Sequence, residues 1–156
     1  MEFPIPEPLT HEHEELHARL AEATKLGGAV GDAAKAVAKV LHDHFVREEQ
    51  IAMPPLSLLP ALAEGRVSAE MAEVFPMTDA LKAELPRMLE EHTRIKAALA
   101  DLRAAAEGAR RPDLVDFADA LVLHARTEEE VLYPAAVVLA EYLRLKLVQP
   151  GPSELL

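Results

Sequence analysis

Apolar residues recur every three or four positions along nearly the whole chain, and no stretch alternates with period two. That spacing stacks side chains on one face of an α-helix, so it predicts an all-α protein. A first helix follows the proline-rich start, with Leu9, His13, Leu16, Leu20 and Ala23 on its stripe and Gly27-Gly28 as its end. Asp32 is the expected N-cap of a second helix. That helix carries Val37, Leu41, His44, Glu48 and Ile51 on one face and stops at Pro54-Pro55. The third stripe runs through Leu81, Leu85, Met88, His92, Ile95, Leu99 and Leu102 and closes near Glu107-Gly108. Pro86 lies within it, which predicts a kink or a start later than Leu81. The fourth follows Pro112 with Leu114, Phe117, Leu121, His124, Glu128 and Val131, and continues past Pro134 to Leu147 with a bend at the proline.

Short connections after the first and third helices make this an antiparallel up-down-up-down four-helix bundle over residues 1–148, with a flexible tail at 149–156. The connection between helices two and three, residues 54–78, is the exception, because bundle loops are usually far shorter. It is also apolar (Leu56, Leu58, Leu59, Leu62, Met71, Val74, Phe75), so it cannot float in solvent. It is expected to cover one end of the bundle or to form a homodimer contact, with Ser68 capping a short helix inside it.

Each of the four stripes carries a histidine where the period calls for Leu or Val: His13, His44, His92 and His124. Helices two and four add Glu48 and Glu128 one turn later on the same face. Burying such groups without partners costs several kcal/mol per charge. A domain whose whole stability is about 5–15 kcal/mol cannot carry that unaided. Mutual hydrogen bonding could compensate; so could a bound cation. The pairs His44/Glu48 and His124/Glu128 each direct a nitrogen and an oxygen at a common point, and a carboxylate can bridge two metals. With single imidazoles from two further helices, the set suffices for a dinuclear site.

Composition narrows the chemistry. The chain has 156 residues, half of them apolar but only 4% aromatic, which suits one domain with a Leu/Val/Ala/Met core. A net charge of −11 argues against a nucleic-acid partner, whose phosphates it would repel. With no cysteine, disulfides, zinc–thiolate sites and Cys nucleophiles are excluded, and a metal must take imidazole and carboxylate, the set that suits iron, manganese or zinc. The N-terminus lacks a basic region followed by an apolar stretch. The longest nearly apolar run, Val131 to Ala140, is too short to span a bilayer. The expectation is a cytoplasmic protein with no membrane partner.

The decisive pattern is a repeat. His44-Phe-Val-Arg-Glu48-Glu49 precedes Pro54 by the interval at which His124-Ala-Arg-Thr-Glu128-Glu129 precedes Pro134, with an offset of 80 residues. Glu12-His13 and Glu91-His92 are related by 79. Two helical hairpins related by a pseudo-twofold axis would bring the four histidines together. In this doubled Glu-His and His-x-x-x-Glu-Glu pattern, from Leu9 to Pro134, the chain resembles the hemerythrin-like (HHE cation-binding) domain family.

That resemblance implies a bundle around two non-haem iron ions, with manganese or zinc as substitutes, bridged by carboxylates. It also implies a small ligand such as oxygen, peroxide or nitric oxide. Two departures stand out. Oxygen carriers of the family have a second histidine on the third helix, where this chain has Lys96; His17, four residues after His13, occupies the twofold mate of that position and is a candidate seventh ligand. Oxygen carriers also use a carboxylate five residues after the fourth-helix histidine; here Glu129 holds that place, but the helical phase favours Glu128. Tyr133 and Met53, each just before a proline, are expected to pack the bundle end, with a role for the Tyr hydroxyl beside the metals as the alternative.

The favoured reading is a di-iron protein that binds oxygen or a related ligand for sensing, storage or iron handling. The alternative is an enzyme that decomposes peroxide or reduces nitric oxide, and the residues leave this choice open because both uses need the same ligands. A further alternative is a structural bundle holding one zinc or no metal. A ferritin-like centre is rejected, since its Glu-x-x-His spacing occurs only at Glu14/His17.

Overall fold

The computed structural model describes residues 1–148; the tail expected to be flexible, 149–156, lies outside the described residues. Among those described there is no strand, and the long helices are α1 (Glu7–Thr24), α2 (Gly28–Ile51), α4 (Phe75–Gly108) and α5 (Pro112–Thr127). A five-residue π-helical turn, Glu128–Leu132, carries α5 directly into α6 (Tyr133–Leu147). Helices adjacent in sequence pack side by side, and α5 closes the ring against α1, the antiparallel up-down-up-down bundle the stripes predict. No helix among the described residues is long and apolar enough to cross a membrane.

The turn between α1 and α2 depends on glycine twice. Gly28 sits at φ +69°, in the left-handed region, and a Cβ at Gly31 would lie 1.8 Å from the Leu26 carbonyl oxygen. This lets α2 begin at Gly28 with Gly27 as its N-cap, so Asp32, expected as the cap, lies inside the helix. The helix α4 also starts earlier than its stripe suggests. Pro76 stands in its first turn, where the missing N–H costs nothing, and Pro86 lies on the exposed face. There water can solvate the carbonyl that the proline leaves without a donor.

Two apolar clusters fill the bundle. One joins Leu16, Leu20, Leu41, Phe45, Ile95, Leu99, Phe117 and Leu121 at the end where the short turns lie. The other gathers Ile51, Met53, Met88, Tyr133 and Leu139 around the 54–74 connection. That connection folds as a 3-10 turn (Pro54–Leu58), the short helix α3 (Leu59–Ala63) and a second 3-10 turn (Ala69–Val74). Ser68 holds the N-cap position of the last turn without a side-chain hydrogen bond. Leu56, Leu58, Leu62, Met71 and Val74 are buried, and both 3-10 turns pack on α6. The connection therefore covers one end of the bundle, as one of its two expected roles required. The polar residues form a layer between the two clusters.

One stripe changes phase. The inward positions on the last helix are His124, Glu128, Tyr133, Ala136, Ala140 and Leu143, and the interval of five between Glu128 and Tyr133 is the π turn. Its signature is the Tyr133 N–H donating to the Glu128 carbonyl. Val131, expected on the stripe, is consequently turned out to solvent. The first hairpin repeats the device: the Met53 N–H donates to the Glu48 carbonyl at 3.0 Å before Pro54 ends the helix.

Candidate metal centre

The six residues that interrupt the stripes converge. His13, His44, Glu48, His92, His124 and Glu128 are all buried, each on a different turn of helix, and their polar ends meet in the central layer. They form two groups of four. His13 and His124 share one with Glu48 and Glu128; His44 and His92 share the other with the same two carboxylates. Within each group the candidate ligand atoms lie within 4.8 Å of one another.

The carboxylates divide their oxygens between the groups. Glu48 Oε2 is 3.4 Å from His13 Nε2, and Glu128 Oε2 is 3.4 Å from His124 Nε2. On the other side Glu48 Oε1 and Glu128 Oε1 lie 3.5 and 3.4 Å from His92 Nε2, and His44 Nε2 closes on Glu48 Oε1. Four buried atoms of the first group, His13 Nε2, His124 Nε2, Glu48 Oε2 and Glu128 Oε2, have no hydrogen-bond partner among the described residues. Orphaned polar atoms cost free energy unless something satisfies them. A cation does so for all four at once, and the donor set is one that iron, manganese or zinc accepts.

Three of the four outer ring nitrogens hydrogen-bond a second set of carboxylates, and the fourth, His44 Nδ1, faces one without bonding it. His13 Nδ1 is 3.2 Å from Glu49, His92 Nδ1 2.9 Å from Glu129, and His44 Nδ1 3.6 Å from Glu91; His124 Nδ1 hydrogen-bonds Glu12. Each contact in one hairpin has its mate in the other at the repeat's own offset. This explains the doubled acidic residues of the motif: the Glu before each helix-one-type histidine and the second Glu of each Glu-Glu pair lie against the outer edge of a ring that points inward, and Glu12, Glu49 and Glu129 fix theirs by a hydrogen bond. Glu129, at the five-residue spacing, belongs to this outer set. Lys96 donates to both its oxygens, at 2.8 and 3.1 Å, so the lysine that departs from the oxygen-carrier pattern braces the support of His92.

The layer's electrostatics follow from this crowding. Burial works against a charged His92, but its bonds to Glu128 and Glu48 outweigh that and raise its pKa to about 10. His124 is raised to about 9 by the same contest of burial against Glu128. His13 is raised for similar reasons, and the three imidazoles hold Glu128 well below the usual carboxylate range despite its burial. Protons thus occupy the His92 and His124 imidazoles when no metal does, and a metal must displace them.

Tyr133 belongs to the site rather than merely to the bundle end. Its hydroxyl donates to Glu48 Oε1 at 2.5 Å and lies 3.2 and 3.4 Å from the Nε2 atoms of His92 and His44. Burial, then the Glu48 and Glu128 charges, push its phenol far above the ordinary range, so it stays a donor. Its counterpart Met53 is apolar, and Phe45, stacked on His13 at 4.2 Å, has Ala125 as counterpart, so the two groups differ in their surroundings. His17 is not brought to the cluster. It is exposed on α1, beside the stripe that Leu16 and Leu20 occupy.

Residues 4–136 match the family described as hemerythrin HHE cation binding domain. No curated protein and no solved structure matches the chain.

Proposed function

Since the chain belongs to the hemerythrin HHE cation-binding domain family, we propose that it is a non-haem di-iron protein binding oxygen or a related small ligand, for sensing, storage or iron handling. One observation carries this reading: two four-donor groups share both carboxylates, each carboxylate turning one oxygen to each group. Two ions would be held there, one by His13 and His124 and the other by His44 and His92, with Glu48 and Glu128 offering an oxygen to each. When bound, iron would supply the electrons and the open coordination positions that small diatomic ligands need. The protein's own part is to orient the imidazoles of His124, His13 and His92 through Glu12, Glu49 and Glu129, to hold the Tyr133 hydroxyl against Glu48, and to exclude bulk water with two apolar clusters.

The test is anaerobic loading of metal-free protein with ferrous iron, followed by oxygen addition. A binding protein takes up two iron ions per chain and gives a spectrum that reverses when oxygen is removed. An irreversible change without release of the ligand speaks against carriage or sensing by reversible binding. One feature favours the enzymatic alternative: the Tyr133 hydroxyl is a hydrogen-bond donor fixed beside the centre. If the protein turns over peroxide, Tyr133→Phe should lower steady-state oxygen evolution while keeping both irons; no turnover by the parent protein removes this alternative.

A further inference from the structure

The two candidate positions are not equally sealed. His13 and His124 keep 4% and 5% of their surface exposed, while His44 and His92 keep 1% each and have the Tyr133 hydroxyl between them and the second apolar cluster. Beside His13 the surface is grooved. Two adjoining cavities of about 300 and 380 Å³ lie between α1 and α2 and share His17, His42 and Phe45; the larger is also lined by His13, Glu14 and Glu49. Phe45 packs flat on the His13 ring and forms the floor between groove and centre.

The twofold mate of this groove carries different chemistry. Counting on by the repeat's offsets, His17 becomes Lys96 and His42 becomes Val122, while Glu49 becomes Glu129. Lys96 is bonded to Glu129, so that face presents a fixed ammonium and a half-buried valine where the first presents two imidazoles. A third cavity, about 290 Å³, reaches His124 between α1 and α5, but Arg19 lines it. On the α1–α2 side imidazole and carboxylate donors face an entering divalent cation with no Lys or Arg among them.

We infer that a divalent metal ion reaches the position held by His13 and His124 through the α1–α2 groove, handed inward by His17 and His42 past Phe45. The position held by His13 and His124 therefore exchanges with solvent, and the position held by His44 and His92 is closed. This rests on the two-metal reading above, and it gives His17 a role in loading where the structure denies it one in the cluster.

Stopped-flow loading of metal-free protein with cobalt(II), read by visible absorbance, tests the route. Uptake should be biphasic, the faster phase leading the slower by about tenfold or more, because a sealed position loads only when the bundle opens. His13→Gln should remove the fast phase alone. Ala18→Trp, which fills the groove from an exposed position on α1, should slow the fast phase by about tenfold and still reach two ions at equilibrium. His17→Ala combined with His42→Ala should slow it in the same direction. Leu123→Trp, placed in the α1–α5 cavity, should leave it unchanged. Two ions loading at one rate, or slowing by Leu123→Trp but not by Ala18→Trp, overturns the route while the two-metal reading stands. Fewer than two cobalt ions at equilibrium in the parent protein overturns both.

Discussion

The sharing of Glu48 and Glu128 makes the effect of a substitution depend on which ligand is lost. His13 serves one group of four, whereas Glu48 serves both. His13→Gln should therefore cost one ion and Glu48→Gln should cost two, since a glutamine has one oxygen and no charge to divide. The consequence for stability can be worked out. An ion present at a thousand times its dissociation constant stabilises the folded state by about 4 kcal/mol. In a domain of this size each kcal/mol moves the thermal midpoint by about 2–4 °C, so one ion raises it by about 8–16 °C and two by about twice that. The quantity to compare is the midpoint of loaded protein minus that of the same variant without metal, which cancels any effect of the substitution on the bundle itself. Parent protein should show the full difference, His13→Gln about half of it and Glu48→Gln almost none, with metal analysis giving two, one and no ions per chain. A Glu48→Gln protein that keeps one ion and half the shift would refute the bridging role. A His13→Gln protein that loses both would refute the division into two positions.

Other outcomes follow from the same geometry. In metal-free protein, His92 and His124 have pKa values raised to about 10 and about 9 from the ordinary 6.5. Their contribution to stability is present in full below pH 6.5 and is lost as the pH rises through 9 and 10, so the metal-free midpoint should fall across that window in scanning calorimetry. Glu128 runs the other way: its lowered pKa contributes above 4.5, the ordinary value, and is lost as the pH falls through the folded-state value. A flat midpoint between pH 6.5 and 10 would show that these imidazoles are not held by the carboxylates. Glu129→Gln should weaken metal affinity by about 10–100-fold without changing the number of ions, measured by competition with a chelator. Gly31→Ala should lower the stability of metal-free protein by about 3 kcal/mol in denaturant titration, because its Cβ would press on the Leu26 carbonyl; an unchanged midpoint would mean that the α1–α2 turn relaxes freely.

Much of this was legible in the chain because two periodicities coincide. The helical period places His13, His44, His92 and His124 inside, and the repeat of about 80 residues says they belong together. What escaped the period is equally specific. The π turn shifts the last stripe by one residue, so Val131, expected on it, faces solvent and Tyr133 takes the inward position, and no α-helical spacing can foresee that. The outer carboxylates Glu12, Glu49, Glu91 and Glu129 sit at positions that read as surface by period alone. Their signal was the repeat itself, since each recurs at the same offset as the ligand it supports. Asp32 was a reasonable cap by residue type, but the fit of Gly31 against Leu26 draws the helix start forward to Gly28. His17 and Lys96 differ from the pattern in ways that only their neighbours explain: Lys96 has Glu129 to hold, and His17 faces an open groove with His42.

Titration of metal-free protein with ferrous iron under anaerobic conditions, counted by elemental analysis after gel filtration, tests the central claim most directly. Two firmly held irons per chain, spin-coupled by magnetic resonance after oxidation, are the expected result. One iron, none, or two that are magnetically independent would contradict a centre bridged by Glu48 and Glu128.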